Sequence, residues 1–424
     1  MKNLTELINA NIVSEEVAKE IRTFNAKKDN GSSNKLLIVF GILGAILVGL
    51  GVILVLAHNW DELPRGIKVV FAFLPLIIGQ LVCAYTLLKK PESTALRESS
   101  TAFLILAIGS SISLVSQIYN IPGNVNTFLL SWMLLSLPLV YIMKSSIGSL
   151  LYLVGITCYA AATGYTYYAV KDVYLYWILL LGIVPHYMHL LKKNPNGSAI
   201  SFHNWLVPIS IMIILGTFAS RHEDMLMVTY LSLFGLFYAV GEFFTTGKLR
   251  NNAFRIIGSL GQLSFLLVLS FSDSSRYLFR SNIDWGYMMG SKEVIVALVI
   301  TIITVFVIFL QRKGKPIQTF NPLTLSFILA IGLFFMGFAS GYAVLAVNLL
   351  LVAIGVLTIR KGAKQDHLGI LNYGLLIISA LIVCRFFDTN INFIVKGVLF
   401  VLLGVSFFYT NYLIIKKRNK NVKK

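Results

Sequence analysis

Few side chains in this sequence can do chemistry, and those few lie near the ends of long apolar segments. The set that we select as a candidate binding site is Trp60, Asp61, Gln117, Tyr119, Asn120, Arg385 and Asp388. A guanidinium can bind an anionic group, a carboxylate can act as its counter-charge or accept a proton, and aromatic rings can stack on a ligand. An ordinary membrane interface, with an aromatic belt and solvated charges, explains the same residues.

Two further constellations are weaker. His186 and His189 are spaced so that a helix would place both imidazoles on one face, as a zinc site requires. A third ligand would have to come from His203, folded back across a loop, and interfacial histidines explain the pair without a metal. Glu242 can take up a proton or pair with Lys248. We predict no metal, no cofactor and no catalytic residue.

Several familiar enzyme motifs are absent from the sequence. It has no Walker loop, no H-E-x-x-H and no G-x-S-x-G, and its three cysteines lie in separate apolar runs without C-x-x-C spacing. The polar residues within the apolar segments are mainly Ser, Thr, Asn and Gln. Because an ion-driven pump usually needs a charge near the membrane midplane, this pattern disfavours ion antiport. It is compatible with the movement of a lipid-linked substrate along a polar groove.

The elements that must position these residues are helices long enough to cross a bilayer. Hydrophobic residues make up 57% of the chain and charged residues 13%, whereas soluble domains carry about 25% charged residues. Residues 36–57 carry no charge and can cross roughly 30 Å of hydrocarbon as a helix. We predict about fourteen such spans, at 36–57, 67–88, 100–119, 126–143, 147–169, 173–191, 204–220, 225–244, 255–272, 293–311, 321–338, 342–359, 367–385 and 392–415.

The distribution of charge predicts the orientation. The formal net charge is +18, and threading the chain through the predicted spans puts most Lys and Arg on the side of the N-terminus. The positive-inside rule accounts for this excess, so no nucleic-acid partner is predicted. We expect a bacterial cytoplasmic membrane, with both termini in the cytoplasm.

The predicted fold is an all-α, polytopic membrane helix bundle with a short cytoplasmic N-terminal helical hairpin. Residues 1–35 form the amphipathic hairpin and its tether, residues 36–415 the bundle, and residues 416–424 a basic cytoplasmic tail. Ser14 is expected to cap the second helix of the hairpin, which carries Val17 on its apolar stripe. The hairpin is either a docking element for a protein partner or an interfacial helix that lies against the bundle.

Two segments share a general plan. Leu233–Asp273 and Asn348–Asp388 each run from an apolar helix with glycine near its end, through a basic turn, to a second apolar helix. Transporter folds are commonly built from repeats, so the likeness indicates either an internal duplication or a shared topology alone.

Three motifs carry a resemblance to a known family. They are N-W-D-x-L-P (Asn59 to Pro64), S-Q-I-Y-N-x-P-G (Ser116 to Gly123) and S-W-M-L-L-S-L-P-L (Ser131 to Leu139). In this order they resemble a large bacterial family of membrane proteins classified as a domain of unknown function, over roughly residues 1–145. The resemblance implies an inner-membrane protein and supplies no catalytic residues. It marks Trp60, Asp61, Gln117 and Tyr119, which also belong to the candidate site.

Three functions agree with these observations. The leading hypothesis is a transporter or flippase-like protein for an anionic envelope or lipid-linked substrate, whose site opens outward. The alternatives are a non-enzymatic scaffold that binds a protein partner through the N-terminal hairpin or the outer loops, and an intramembrane enzyme that acts on a lipid-linked precursor with Asp61 as its carboxylate. A continuous polar groove that reaches the midplane would favour the transporter.

Overall fold

The computed structural model describes residues 14–18, 20, 60–165, 171–218, 223–243, 252–271, 290–313, 321–388 and 393–422. All regular secondary structure in these ranges is helical. The α-helices are α1 (Arg65–Lys89), α2 (Thr94–Ile118), α3 (Val125–Ile142), α4 (Ser146–Gly164), α5 (Leu175–Leu181), α6 (Val184–Lys193), α7 (Ser198–Leu215), α8 (Glu223–Phe243), α9 (Ala253–Ser270), α10 (Lys292–Arg312), α11 (Pro322–Ala339), α12 (Ala343–Lys364), α13 (Leu368–Asp388) and α14 (Phe393–Val422).

The structure confirms the predicted all-α class and the presence of many helices that could cross a membrane. Eleven helical segments of the described residues are long and apolar enough to cross a membrane, and two shorter apolar segments, Pro322–Phe338 and Phe393–Tyr409, coincide with two more predicted spans. Such helices imply a lipid bilayer as their environment. The first predicted span, residues 36–57, lies outside the described residues, so the count of fourteen stays a prediction.

One predicted span is broken. Hydropathy predicts a single helix over residues 173–191, but α5 ends at Leu181 and α6 begins at Val184. Pro185 has no N–H to donate and occupies the first turn of α6. The missing donor contributes to the break between the two helices. Together, Leu175–Lys193 is still long and apolar enough for one crossing.

Side-chain caps explain where many helices begin. Ser93, Ser145 and Ser291 each accept a hydrogen bond from a backbone N–H in the first turn of α2, α4 and α10. Asn124 and Thr127 form a reciprocal capping box at the start of α3. These side chains satisfy backbone donors that a helix end would otherwise leave without a partner.

The chain divides into two compact units, Met1–Leu74 and Pro75–Lys424. Within the second unit, one buried core joins α3 to α7 and includes Tyr152, and a larger one joins α8 to α13 and includes Tyr238 and Phe334. The most extensive helix pairs are α12–α13, α8–α9 and α8–α10. Apolar side chains on other faces remain exposed, as lipid contact requires.

Little of the predicted N-terminal hairpin lies within the described residues. At the expected cap, the Oγ atom of Ser14 accepts a hydrogen bond from the backbone N of Val17 at 3.4 Å, and residues 15–18 are helical. The remainder of the hairpin, from residue 1 to residue 35, stays a prediction. At the other end, α14 continues to Val422, so most of the predicted basic tail has a helical backbone.

Candidate functional site

A cavity opens where five helix ends of the second core meet. Its volume is about 400 Å³, within the range of small-molecule sites. The polar side chains that line this basic pocket are Tyr238, Arg255, Ser259, Asn321, Thr358, Lys361, His367 and Tyr373. The apolar side chains that line it are Ile256, Leu260, Leu323 and Ile370. They come from the end of α8, the starts of α9, α11 and α13, and the end of α12.

Two tight helical hairpins hold the pocket walls. In the α8–α9 hairpin, a side chain at Gly258 would overlap the backbone of Tyr238, and in the α12–α13 hairpin a side chain at Gly362 would overlap the backbone of Leu371. Small residues at these two positions let the helix backbones approach closely. The hairpins correspond to the two similar segments of the sequence, Leu233–Asp273 and Asn348–Asp388. Whether they arose by duplication stays open.

The pocket is cationic. The Arg255 guanidinium lies over the Tyr238 ring, with 5.8 Å from its central carbon to the ring centroid. Lys361 contributes a second cation from the opposite hairpin. The backbone N–H of Ile370 donates to Nδ1 of His367 at 3.3 Å, so in the neutral ring Nε2 carries the proton as a donor. None of the described lining residues is acidic, and the carboxylate of Glu242 interacts electrostatically with Tyr238. The two cations of the lining suit a negatively charged group.

Hydrogen bonds order the buried wall of the pocket. The Asn321 side-chain amide donates to the Tyr238 hydroxyl, and the hydroxyls of Ser259 and Tyr373 bond to each other across the two hairpins. Glu242, a candidate proton site in the sequence, accepts a hydrogen bond from Thr324 at 3.3 Å between Oε2 and Oγ1. This carboxylate is therefore engaged with α11.

Polar residues continue from the pocket along one face of α9. This polar stripe consists of Arg255, Ser259, Gln262 and Ser270. Gln262 is fully buried near the middle of the helix, where its Nε2 donates to the Phe234 carbonyl at 3.2 Å and its Oε1 accepts from Ser326. Arg255 and Ser270 mark the two ends of this face, about 22 Å apart along an ideal helix. Between Gln262 and Ser270 the stripe has an apolar interval at Leu266.

Arg385, from the predicted outer cluster, lies at the far end of this stripe. Its guanidinium donates to the Ser270 hydroxyl at 3.1 Å and stands 5.1 Å from the centroid of the Phe271 ring. Asn348 donates to the Ser270 carbonyl at 3.4 Å. The structure therefore brings Arg385 together with Ser270, Phe271 and the helix that carries Asn348. Asp388 is the last residue of α13, and its side chain lies outside the described part.

The other members of the predicted cluster lie at helix ends. Trp60 and Asp61 precede α1, Trp60 lies under the Lys68 ammonium at 5.7 Å, and Asp61 is exposed. Gln117 and Tyr119 are exposed where α2 ends. The assembly of these residues with Asn120 and Arg385 into one binding site stays a prediction.

Two of the sequence motifs have a packing role. Asn120 has a φ of 47°, in the left-handed region that suits Asn, and the backbone N of Ile121 donates back to the Ser116 carbonyl at 2.9 Å to close α2. In the third motif, the Trp132 indole N–H donates to the Ile105 carbonyl at 2.6 Å, and its ring covers Gly109. These residues thereby end one helix and dock α3 against α2.

The structure places His186 beside His203, whereas the spacing in the sequence paired His186 with His189. His186 is buried and its ring faces that of His203 at 6.4 Å between centroids, whereas His189 is exposed. His203 does fold back, and its Nε2 is 2.5 Å from the Ser149 hydroxyl. Among the described residues, no three His, Cys, Asp or Glu side chains form a group that could hold a metal ion.

Sequence reasoning did not select the residues of the basic pocket. Arg255 follows one basic turn, and Lys361 lies at the start of another. The positive-inside rule already explains basic residues at such turns. The signal in the sequence was the likeness of the two hairpins, because the pocket lies between them. The pocket was missed since that likeness does not say which faces of the hairpins meet.

The comparisons with known proteins concern the other part of the chain. No curated protein and no solved structure matches this chain. The lining residues of the basic pocket all follow residue 149. Residues 5–149 match the family described as "Predicted membrane protein (DUF2157)", which confirms the resemblance to a membrane-protein family of unknown function.

Proposed function

We propose that this protein moves an amphipathic envelope lipid or lipid-linked substrate across the membrane, as a transporter or flippase. The observation that carries the proposal is the basic pocket together with the polar stripe of α9. The pocket offers cations at one end of the bundle, Gln262 offers a buried amide near mid-helix, and Arg385 with Ser270 lies at the other end. Such a series supports stepwise passage of a polar headgroup.

The physical argument concerns the cost of moving a headgroup through hydrocarbon. A polar group without partners costs several kcal/mol in an apolar medium, and a charge costs more. Hydrogen-bonding side chains along one helix face lower that cost. Leu266 is fully buried and offers no hydrogen bond. The proposed passage beyond Gln262 therefore requires α9 to separate from its neighbours at this point.

The proposed orientation places the basic pocket on the cytoplasmic side of a bacterial inner membrane. The pocket lies at the helix ends joined by basic turns, which the positive-inside rule assigns to the cytoplasm. Arg385 then faces outward, where the predicted cluster of Trp60, Asp61, Gln117 and Tyr119 would receive the substrate.

The test is headgroup translocation in vesicles. The purified protein is reconstituted with a trace of headgroup-labelled phosphatidylglycerol, and a membrane-impermeant reductant reports how much label reaches the outer leaflet. We expect faster exposure than in protein-free vesicles, and about tenfold slower exposure for Arg255→Gln and Gln262→Leu.

Arg360→Gln is the matched control, because Arg360 is exposed on α12 beside the pocket but does not line it. This variant should keep the wild-type rate. A folded wild-type protein that never exceeds the protein-free rate, with any anionic lipid tested, would contradict transport.

A further inference from the structure

We infer that the basic pocket binds a phosphoryl group of an amphipathic ligand, held between Arg255 of the α8–α9 hairpin and Lys361 of the α12–α13 hairpin. The inference deepens the proposed function by assigning the substrate class. It rests on that proposal only for the idea that the bound molecule is transported. The chemistry of the pocket can be tested without any transport.

The donors of the pocket match a phosphoryl group. Arg255 presents a planar fork that can bind two oxygens of one phosphate, and Lys361 presents a compact charge from the opposite wall. A group with three or four acceptor oxygens can use both cations at once, and a single carboxylate has only two oxygens to share between them.

The apolar wall indicates that the ligand has a hydrocarbon part. Ile256, Leu260, Leu323 and Ile370 line the same cavity as the two cations. Leu260 is 48% exposed, on a helix that is long and apolar enough to cross the membrane, so the cavity wall continues toward the lipid-facing surface. Contact with acyl chains keeps this wall out of water, whereas a free phosphate ion would leave it wet.

A bound phosphoryl group would also join the two hairpins. Within the pocket, the hydroxyls of Ser259 and Tyr373 already bond across them. A ligand held by Arg255 on one side and Lys361 on the other adds a second, charged link. Its arrival or departure therefore changes the free energy of separating the hairpins.

The experiment is native mass spectrometry of the full-length protein in mild detergent, with added phosphatidic acid, diacylglycerol of the same chains, or inorganic phosphate. We expect retained phosphatidic acid, and about tenfold weaker retention in Arg255→Gln and in Lys361→Gln. Arg255→Lys should recover part of the binding because it keeps the charge but loses the fork. Arg360→Gln should bind as the wild type does.

The three ligands separate the possible sources of the phosphoryl group. Inorganic phosphate that competes as well as phosphatidic acid, with the same dependence on Arg255, would keep the phosphoryl site and contradict the amphipathic ligand. Equal retention of diacylglycerol, or unchanged phosphatidic acid binding in folded Arg255→Gln, would overturn the inference. Intact binding with no translocation would instead refute the transporter alone.

Discussion

The α2–α4 region and the α8–α13 region use polar side chains in opposite ways. In α2–α4, Asn120 ends a helix, Trp132 docks on a neighbouring helix, and Glu98 accepts hydrogen bonds from the backbone N–H groups of Ser146 and Ile147 at the start of α4. In α8–α13, polar side chains such as Arg255 and Lys361 converge on a cavity.

The difference shows that residues of a recognisable motif can end and pack helices. The motifs of residues 116–123 and 131–139 lie in the part of the chain that matches the family, and the geometry explains several of their residues by helix ending and helix packing. The basic pocket lies outside that part. We therefore expect substitutions in the first region to change stability, and substitutions in the second to change ligand binding.

The largest expected effect on stability is that of Gly109→Leu. A side chain at Gly109 would overlap the Trp132 ring, so α2 and α3 would have to separate. We expect a loss of about 2–3 kcal/mol in the free energy of unfolding, with unchanged phosphatidic acid binding per folded molecule. Thermal unfolding in detergent measures the first quantity.

Gly332→Leu is the matched control for this substitution. Gly332 lies within α11 with open space where a side chain would stand, so its replacement should leave the unfolding temperature close to that of the wild type. Equal losses at both glycines would show that the packing of Trp132 on Gly109 is not what stabilises α2–α4.

A smaller loss is expected for Trp132→Phe. The substitution keeps an aromatic ring but removes the N–H that donates to the Ile105 carbonyl. Loss of this hydrogen bond should lower the free energy of unfolding by about 1 kcal/mol. Trp177→Phe, in the α3–α7 core, serves as the comparison in the same thermal assay, because it makes the same change of ring size at another packed tryptophan. A larger loss of stability for Trp177→Phe than for Trp132→Phe would contradict the role given to the indole N–H of Trp132.

The smallest effect is expected for Asn120→Gly. Glycine adopts a φ of 47° without steric cost, so the unfolding temperature and the translocation rate should both stay near those of the wild type. Asn120→Val should be destabilised by about 1–2 kcal/mol because a branched side chain is strained there. If Asn120→Gly folds normally but loses translocation, Asn120 belongs to a binding site after all.

The helices were largely predictable from the sequence. Predicted spans such as 225–244 and 255–272 coincide with α8 and α9, since the thickness of the bilayer sets the length of an apolar helix. The break between α5 and α6 was not predicted, although Pro185 was visible in the sequence. Hydropathy averages over a window and does not register a missing backbone donor.

The basic pocket was not predictable in the same way. Arg255 and Lys361 lie far apart in the sequence, and the positive-inside rule alone explains each of them as a basic residue near a cytoplasmic turn. Only the packing of the two hairpins brings them to one cavity. Arg385 lies near the end of α13, and its role in a binding site stays a prediction. Its contact with Ser270 depends on how α9 and α13 meet, which no local pattern encodes.

The most direct test of the central claim is a cryo-electron microscopy map of the protein in nanodiscs that contain phosphatidic acid. We predict headgroup density between Arg255 and Lys361, with its acyl chains along Leu260, and no such density in the Arg255→Gln variant. An empty pocket, with lipid density instead at Gln117 and Tyr119, would contradict the account and return the binding site to the motif region.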